Sequence, residues 1–372
     1  MEMRERLSGL DALRGMAALS IAVYHTVMLR ELTIPAEIVP SFRFLYVAVS
    51  LFFAISAFSL CAGYHGKLAS SAELPSFFLR RYLRIAPLFY LMIAVWVAIY
   101  SWLWGSWQIP AYDDVKLNAL FLFNLVPEKN GSLVAAGWSL GVEMIFYALF
   151  PFLLYFLRDI RSALLGFLTS ILVAVNAGIV FTPLANSYAW FSALAQLPFF
   201  VAGIVLFFVY GRCRSFSLRS RVTIALIGLL ATPMLLAAFW YSGLLLVEIM
   251  GWKASAHLIG LGLLPLVLSF ALYGLPALVN RATVFLGKIS YGIYLIHPAV
   301  VVSVGMPLHK AMVDFPAWVT TPTIILTVVI LSVCFATLTY YGLERPIMRM
   351  QGRKRTAARQ GPMVALVESP VE

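Results

Sequence analysis

The segment GLDALRGMAALSIAVYHTVML, residues 9–29, indicates the class of fold, because it is long and apolar enough to cross a bilayer. It also carries Asp11, Arg14 and His25. A charged side chain at the centre of a span costs about 3 kcal/mol on insertion unless a partner or a cavity compensates for it. These three side chains are therefore candidates for a functional role.

The whole chain has the composition of a membrane protein. Of its 372 residues, 62% are hydrophobic and 12% are charged, and its mean hydropathy is +0.91. Apolar runs of about 20 residues recur from end to end. We predict an all-α, polytopic transmembrane helical bundle. The first run is not expected to be a cleaved signal peptide, because charge interrupts it and no small-residue cleavage site follows.

Ten spans are predicted, with both termini in the cytoplasm. The predicted inner segments hold 20 Lys and Arg and the outer segments hold 6, which sets the orientation by the positive-inside rule. The same distribution accounts for the net charge of +11, so we expect no nucleic-acid partner. The predicted spans are 9–29, 43–64, 83–104, 137–157, 162–182, 190–210, 221–241, 256–275, 285–305 and 319–341.

Two regions outside the spans have distinct compositions. We predict a transmembrane domain over residues 1–347 and a disordered basic cytoplasmic tail over 348–372, which can lie against anionic lipid. The longest outer connection, about 105–136, contains LNALFLFNLV, which is too short to span and is predicted to be interfacial or re-entrant. The three cysteines, at 61, 213 and 334, lack the spacing of metal ligands, so no metal is expected.

Arg14 and His25 are eleven residues apart, which places them within about 20° of one helix face and about 16 Å apart along the axis. Arg81 and Arg84 share a face at the inner start of the third span, beside Arg80. These arginines could anchor the span at its boundary, or they could hold a polyanionic ligand, since a guanidinium binds phosphate oxygens in pairs.

Glu143 lies inside the fourth span, at a depth similar to that of His25. A carboxylate near a histidine orients the ring and raises its basicity, so this pair is a candidate general base. Ser290, Tyr294 and His297 recur along one stripe of the ninth span; helix packing is the favoured interpretation for His297. Ser56 and Ser59 in the second span are also interpreted as packing residues.

These residues lie in stretches that together closely resemble acyltransferase family 3, a family of integral membrane O-acyltransferases. The resemblance runs through LDALRGMAALSIAVYH, RRYLRIAPLFYL, GWSLGVEMIFY, LGKISYGIYLIH and GLERPIMR, about residues 8–347. It implies transfer of an acyl group, commonly acetyl, from cytoplasmic acyl-CoA to a hydroxyl of an envelope or exported glycan, lipid-linked acceptors included, in the bacterial inner membrane. One departure is Ser56-Ala57-Phe58, where the family commonly has Ser-Gly-Phe.

The resemblance assigns roles to seven residues. His25 and Glu143 are the implied catalytic pair, with His25 as general base. The implied acyl-CoA-binding residues are Arg14, Arg81, Arg84, Ser290 and Tyr291, with Gly287 as the glycine of the Gly-x-x-Ser-Tyr element. Whether the acyl group moves directly or through acylated His25 is left open. A transporter and a lipid-binding scaffold are the alternatives, and only the enzyme would consume acyl-CoA.

Overall fold

The computed structural model describes residues 7–28, 32–35, 42, 44–68, 73–183, 187–243, 248–249 and 252–350. Helices dominate this part of the chain, and its strands are the antiparallel two-residue pair Glu248–Ile249 and Trp252–Lys253. The all-α prediction is confirmed. The ten long helices are α1 Ser8–Met28, α2 Val49–Tyr64, α3 Leu74–Trp104, α4 Trp138–Phe156, α5 Ile160–Phe181, α6 Ala193–Cys213, α7 Leu218–Tyr241, α8 Ser255–Leu272, α9 Arg281–Val300 and α10 Ala317–Thr339.

Each predicted span overlaps one of these helices. Within the described residues, nine helical stretches are long and apolar enough to cross a membrane, and they contain α2 to α10. Helix α1 is 21 residues long but carries Asp11 and Arg14 in its first half. The protein is a multi-pass membrane protein, and the inward orientation of its termini stays a prediction.

Helix α1 lies at the centre of the bundle, where it contacts α2, α8, α9 and α10. Small residues allow this close packing. A Cβ atom added at Gly15 would lie 2.8 Å from the backbone nitrogen of Gly287 in α9, and one added at Gly9 would overlap the carbonyl of Phe270 in α8. Close approach through small residues is a common mode of helix association in membranes. The helix that carries Arg14 and His25 is thereby surrounded by protein.

Helix α3 begins at Leu74, nine residues before the predicted start of its span. Pro75 occupies its first turn, where the missing amide hydrogen is not needed. The arginines at 80, 81 and 84 therefore lie on the first turns of a continuous helix.

The predicted outer connection packs against the bundle through short helical turns at Tyr112–Ala119, Phe123–Leu125 and Pro127–Lys129. Phe121 and Phe123 are buried and stack near Phe89 of α3. Asn118 fixes the chain, since its Oδ1 accepts hydrogen bonds from the Ser132 hydroxyl at 2.7 Å and the Leu133 amide at 3.0 Å. Most of the predicted basic tail, residues 351–372, lies outside the described residues.

Candidate active site

A cavity of about 460 Å³ lies between α1, α2, α3, α4 and α9. Six of the seven residues that the sequence singled out line it: Arg14, Arg81, Arg84, Glu143, Ser290 and Tyr291. His25, the seventh, lies further along α1, outside the lining. The cavity has the volume of an ordinary small-molecule site, and it combines apolar walls with a few polar groups.

Arg14 projects from α1 toward α2. Its Nη2 donates to the Ser59 hydroxyl at 2.9 Å and lies 3.4 Å from the carbonyl oxygen of Ile55, while Nη1 lies 3.4 Å from the Asp11 carboxylate. Asp11 precedes Arg14 by three residues, so the two share a helix face as their spacing predicts. This network holds the guanidinium at the cavity wall.

Arg81 and Arg84 differ in how they are held. The Arg81 guanidinium lies 5.7 Å from the ring centroid of Tyr64 and 5.8 Å from that of Tyr147. Arg84 is exposed, and none of the described residues forms a hydrogen bond or ion pair with its side chain. The neighbouring Arg80 lies outside the cavity, where Nε donates to the Tyr64 hydroxyl at 2.9 Å and Nη2 lies 4.0 Å from Glu73. Arg84 is therefore the cation best placed to meet an anionic ligand.

Glu143 accepts hydrogen bonds from the hydroxyl of Ser56, at 2.9 Å, and from the hydroxyl of Tyr147. Tyr147 follows Glu143 by four residues and therefore lies on the same face of α4. This arrangement differs from the predicted contact between Glu143 and His25, because both hydroxyls approach the carboxylate inside the cavity. Ser56, interpreted from the sequence as a packing residue, also serves as a donor.

His25 pairs with His297 of α9. Its Nδ1 lies 2.8 Å from Nε2 of His297, and the two rings are nearly parallel, with an interplanar angle of 17° and centroids 5.0 Å apart. His297 is fully buried, whereas His25 is half-buried. His297, interpreted from the sequence as a packing residue, thus occupies the position beside His25 that was expected for Glu143.

Ser290 and Tyr291 both use their hydroxyl hydrogens within the protein. The Ser290 hydroxyl donates to the carbonyl of Gly287 at 3.0 Å, and the Tyr291 hydroxyl donates to the carbonyl of Ile85 at 2.6 Å. The second bond joins α9 to α3 directly beside Arg84. These two side chains line the cavity and fix its walls.

Tyr294 ends the cavity on the side nearer the histidine pair. Its hydroxyl donates to the carbonyl of Ala136 at 2.8 Å and accepts from Ser139 at 2.8 Å. Its ring lies 5.7 Å from Phe52 and 6.0 Å from His297, measured between centroids. Tyr294 therefore lines the cavity and also packs on the ring of His297.

Sequence reasoning missed Tyr147, Ser59 and the role of His297 as a partner. Tyr147 could have been found, because it lies four residues after Glu143 on one helix. Ser59 and His297 reach their partners across helix interfaces, and one sequence does not encode which helices are neighbours. In the described residues, no group of three or more His, Cys, Asp or Glu side chains is arranged to hold a metal ion.

Comparison with known proteins gives a consistent picture. Residues 7–341 match the family described as acyltransferase domain. The chain is 27% identical to "Putative acetyltransferase ORF330" of Acidianus two-tailed virus over 288 residues, which are 77% of this chain and 80% of that protein. It is 32% identical to "Protein 2 in picA locus" of Rhizobium radiobacter over 163 residues, which are 39% of this chain and 81% of that protein. No solved structure matches the chain. The protein is a member of acyltransferase family 3.

Proposed function

We propose that the protein transfers an acyl group, most often acetyl, from cytoplasmic acyl-CoA to a hydroxyl of an envelope or exported glycan at the bacterial inner membrane. The observation that carries this proposal is the cavity, which brings together three arginines from α1 and α3 at one end and approaches a histidine pair at the other. The acetyltransferase name of the viral relative supports acetyl as the group transferred.

The arginines supply the chemistry that the phosphates of acyl-CoA need. Arg84 is exposed and forms no hydrogen bond or ion pair with the described residues, so binding a phosphate breaks no such bond there. Arg14 and Arg81 are already fixed by Ser59 and by tyrosine rings, so little side-chain freedom is lost when a ligand arrives. Charge-assisted bonds from guanidinium groups to phosphate are among the strong ones in proteins.

Glu143 has a different role in this proposal from the one predicted from the sequence. Because its carboxylate accepts from Ser56 and Tyr147 inside the cavity, it fixes the wall and offsets the positive charge of the arginines. His25 alone acts as the base. The two hydrogen bonds of Glu143 inside the cavity support this division of roles.

The reaction requires one proton acceptor. His25 removes the proton from the acceptor hydroxyl, the oxygen forms a bond to the thioester carbonyl, and the carbon–sulfur bond breaks. The proton held by His25 then passes to the departing thiolate, so the products are the O-acyl glycan and CoA. The pantetheine arm would run beside α1, along which Arg14 and His25 are about 16 Å apart. Tyr294, which lines the cavity and packs on His297, lies where the thioester would approach His25.

The test is CoA release by the purified protein in nanodiscs, with acetyl-CoA as donor and lipid-linked envelope glycans as acceptors. We expect acceptor-dependent thiol release from the wild type and a loss of about 100-fold or more in His25→Ala, the contribution typical of a general base. His309→Ala is the matched control, since His309 lies in the short helix Met306–Ala311, away from the site. Equal release from wild type and His25→Ala would overturn the assignment of the base. Absence of acetyl-CoA binding would overturn the assignment of acyl-CoA as the acyl donor.

A further inference from the structure

The hydrogen bonds around His297 determine which of its nitrogens carries the proton. Nδ1 of His297 lies 3.1 Å from the carbonyl oxygen of Ile293, one turn earlier in α9. A carbonyl oxygen only accepts, so Nδ1 must be the protonated nitrogen. Pro298 follows directly and has no amide hydrogen, which leaves the carbonyl of Tyr294 without its helical donor and places a second acceptor near the same ring.

The same reasoning extends to His25. A neutral imidazole with its hydrogen on Nδ1 has a lone pair on Nε2, so Nε2 of His297 accepts. The 2.8 Å contact then requires the hydrogen on Nδ1 of His25. The lone pair of His25 is left on Nε2, which forms no hydrogen bond within the described part of the chain. The two hydrogen bonds therefore form a chain. Nδ1 of His25 donates to Nε2 of His297, and Nδ1 of His297 donates to the carbonyl oxygen of Ile293.

We propose that His297 is a positioning residue that holds His25 in the tautomer whose Nε2 is the reactive nitrogen. This inference rests on the proposed function, since it names the atom of His25 that removes the proton from the acceptor hydroxyl. When Nε2 takes the proton of the acceptor hydroxyl, His25 becomes an imidazolium whose Nδ1–H still donates to His297. The bond becomes charge-assisted and therefore stronger as the transition state is approached. The proton leaves from the same Nε2 to the CoA thiolate, and both rings return to their starting state.

A neutral histidine here occupies the position that a carboxylate holds in the familiar catalytic triads. Burial explains why a histidine and not a carboxylate occupies this position. A carboxylate in the place of fully buried His297 would need a compensating cation. The titratable side chains whose rings pack on the pair are Tyr24 and Tyr294, and Tyr46 packs on Tyr24. A tyrosine phenol is uncharged near neutral pH. No carboxylate, lysine or arginine of the described residues bonds to either ring.

Two substitutions at His297 separate this role from packing. In His297→Gln the amide oxygen can occupy the place of Nε2 and still accept from His25. In His297→Asn the amide reaches only the place of Nδ1, so it keeps the bond to Ile293 and loses the bond to His25. Both replace the ring by a smaller primary amide, which makes them a matched pair. His309→Gln controls for the histidine-to-amide change itself.

We expect kcat of acetyl transfer to fall about 100-fold in His297→Asn and less than about 10-fold in His297→Gln, with the KM for acetyl-CoA unchanged in both. A purely structural role would lower activity and thermal stability in parallel in the two variants. Equal kcat in both variants, whether high or low, would overturn the proposal.

Nitrogen NMR of the protein labelled at histidine with ¹⁵N gives a readout that requires no turnover. The wild type in nanodiscs should show His25 protonated at Nδ1 and unprotonated at Nε2, with the resonances assigned by their loss in His25→Ala. The opposite tautomer would overturn the proposal even if the enzyme is active. The predicted tautomer together with no thiol release for any acceptor would overturn the proposed function and leave the geometry of the pair intact.

Discussion

Asp11 of α1 and Gly287 of α9 touch through their backbones. A Cβ atom added at Gly287 would lie far inside van der Waals contact with the carbonyl oxygen of Asp11. Tyr291 lies four positions after Gly287, and Arg14 lies three positions after Asp11, so this contact sets the spacing of the cavity walls as well as of the helices. It also fixes the crossing at which His25 and His297 meet further along the same two helices.

Gly287→Ala should therefore destabilise the bundle. The added methyl group cannot be accommodated without separating α1 from α9, and overpacking of this kind costs about 1–3 kcal/mol. We expect a lower unfolding temperature in detergent and reduced recovery of folded protein. Gly211→Ala in α6 is the matched control, because a Cβ there has no atom within 4 Å. An unfolding temperature for Gly287→Ala equal to that of the control would contradict the close contact.

Arg84→Ala should weaken acyl-CoA binding without affecting the fold. Hydrogen bonds to charged groups contribute about 1.5–3 kcal/mol, so the Kd should rise about 10- to 100-fold. The loss should shrink in high salt, because an exposed charge is screened. Calorimetric titration with CoA measures both effects. In the control Arg80→Ala, CoA affinity should be retained and stability should fall, since Arg80 bonds to Tyr64 outside the cavity. A reversed ranking of the two variants would refute the arginine assignment.

Glu143→Gln and Glu143→Ala should differ sharply. The hydroxyls of Ser56 and Tyr147 both approach Oε1, and the amide oxygen of Gln can still accept there. Ala leaves both hydroxyls unpaired at a cost of about 1–3 kcal/mol each. We expect Glu143→Gln to retain kcat within about 10-fold of the wild type, a smaller loss than removing a general base causes. If kcat collapses in Glu143→Gln while CoA binding is preserved, the carboxylate acts in the chemistry, as the sequence-based interpretation had it.

Tyr291→Phe tests whether the tyrosine of the Gly-x-x-Ser-Tyr element acts on the ligand or on the protein. Its hydroxyl donates to Ile85, so removing it should lower stability by about 1 kcal/mol and leave the turnover number close to that of the wild type. Thermal unfolding and CoA release on the same preparation measure the two effects. Tyr340→Phe serves as the control, because its hydroxyl makes no hydrogen bond among the described residues. A large fall in turnover at unchanged stability would point to direct contact with acyl-CoA.

The sequence predicted the fold well because membrane insertion constrains composition strongly. Apolar length alone located the ten long helices, and Gly287 was recognised within a motif. The predicted third span begins at residue 83 because it was placed by apolar length, whereas helix α3 begins at Leu74 and includes the cationic turn that contains Arg81. Boundaries of this kind depend on local hydrogen bonding that hydropathy does not measure.

Six of the seven residues singled out from the sequence line one cavity, and their roles there stay predictions. Similar depth was the basis for pairing Glu143 with His25, and that contact does not form in the structure. Depth, however, does not say which faces of the helices oppose each other. Glu143 and His25 lie on helices whose rotation directs them to different partners, Ser56 and His297. A single sequence carries no record of helix rotation, so the histidine pair could be found only in three dimensions.

The hydroxyl of Tyr294 takes part in two hydrogen bonds to one short segment of the chain, and this has a structural consequence. Ala136 and Ser139, which hold its hydroxyl, both belong to the turn where the outer connection enters α4, and Ala136 adopts a left-handed backbone conformation with φ of 64°. A shift of that turn by about 1 Å would stretch both bonds past hydrogen-bonding distance at once. A displacement of that turn would therefore also displace Tyr294, which lines the cavity and packs on His297. We therefore expect substitutions within residues 105–136, none of which lines the cavity, to change the position of Tyr294 without changing the identity of any lining residue.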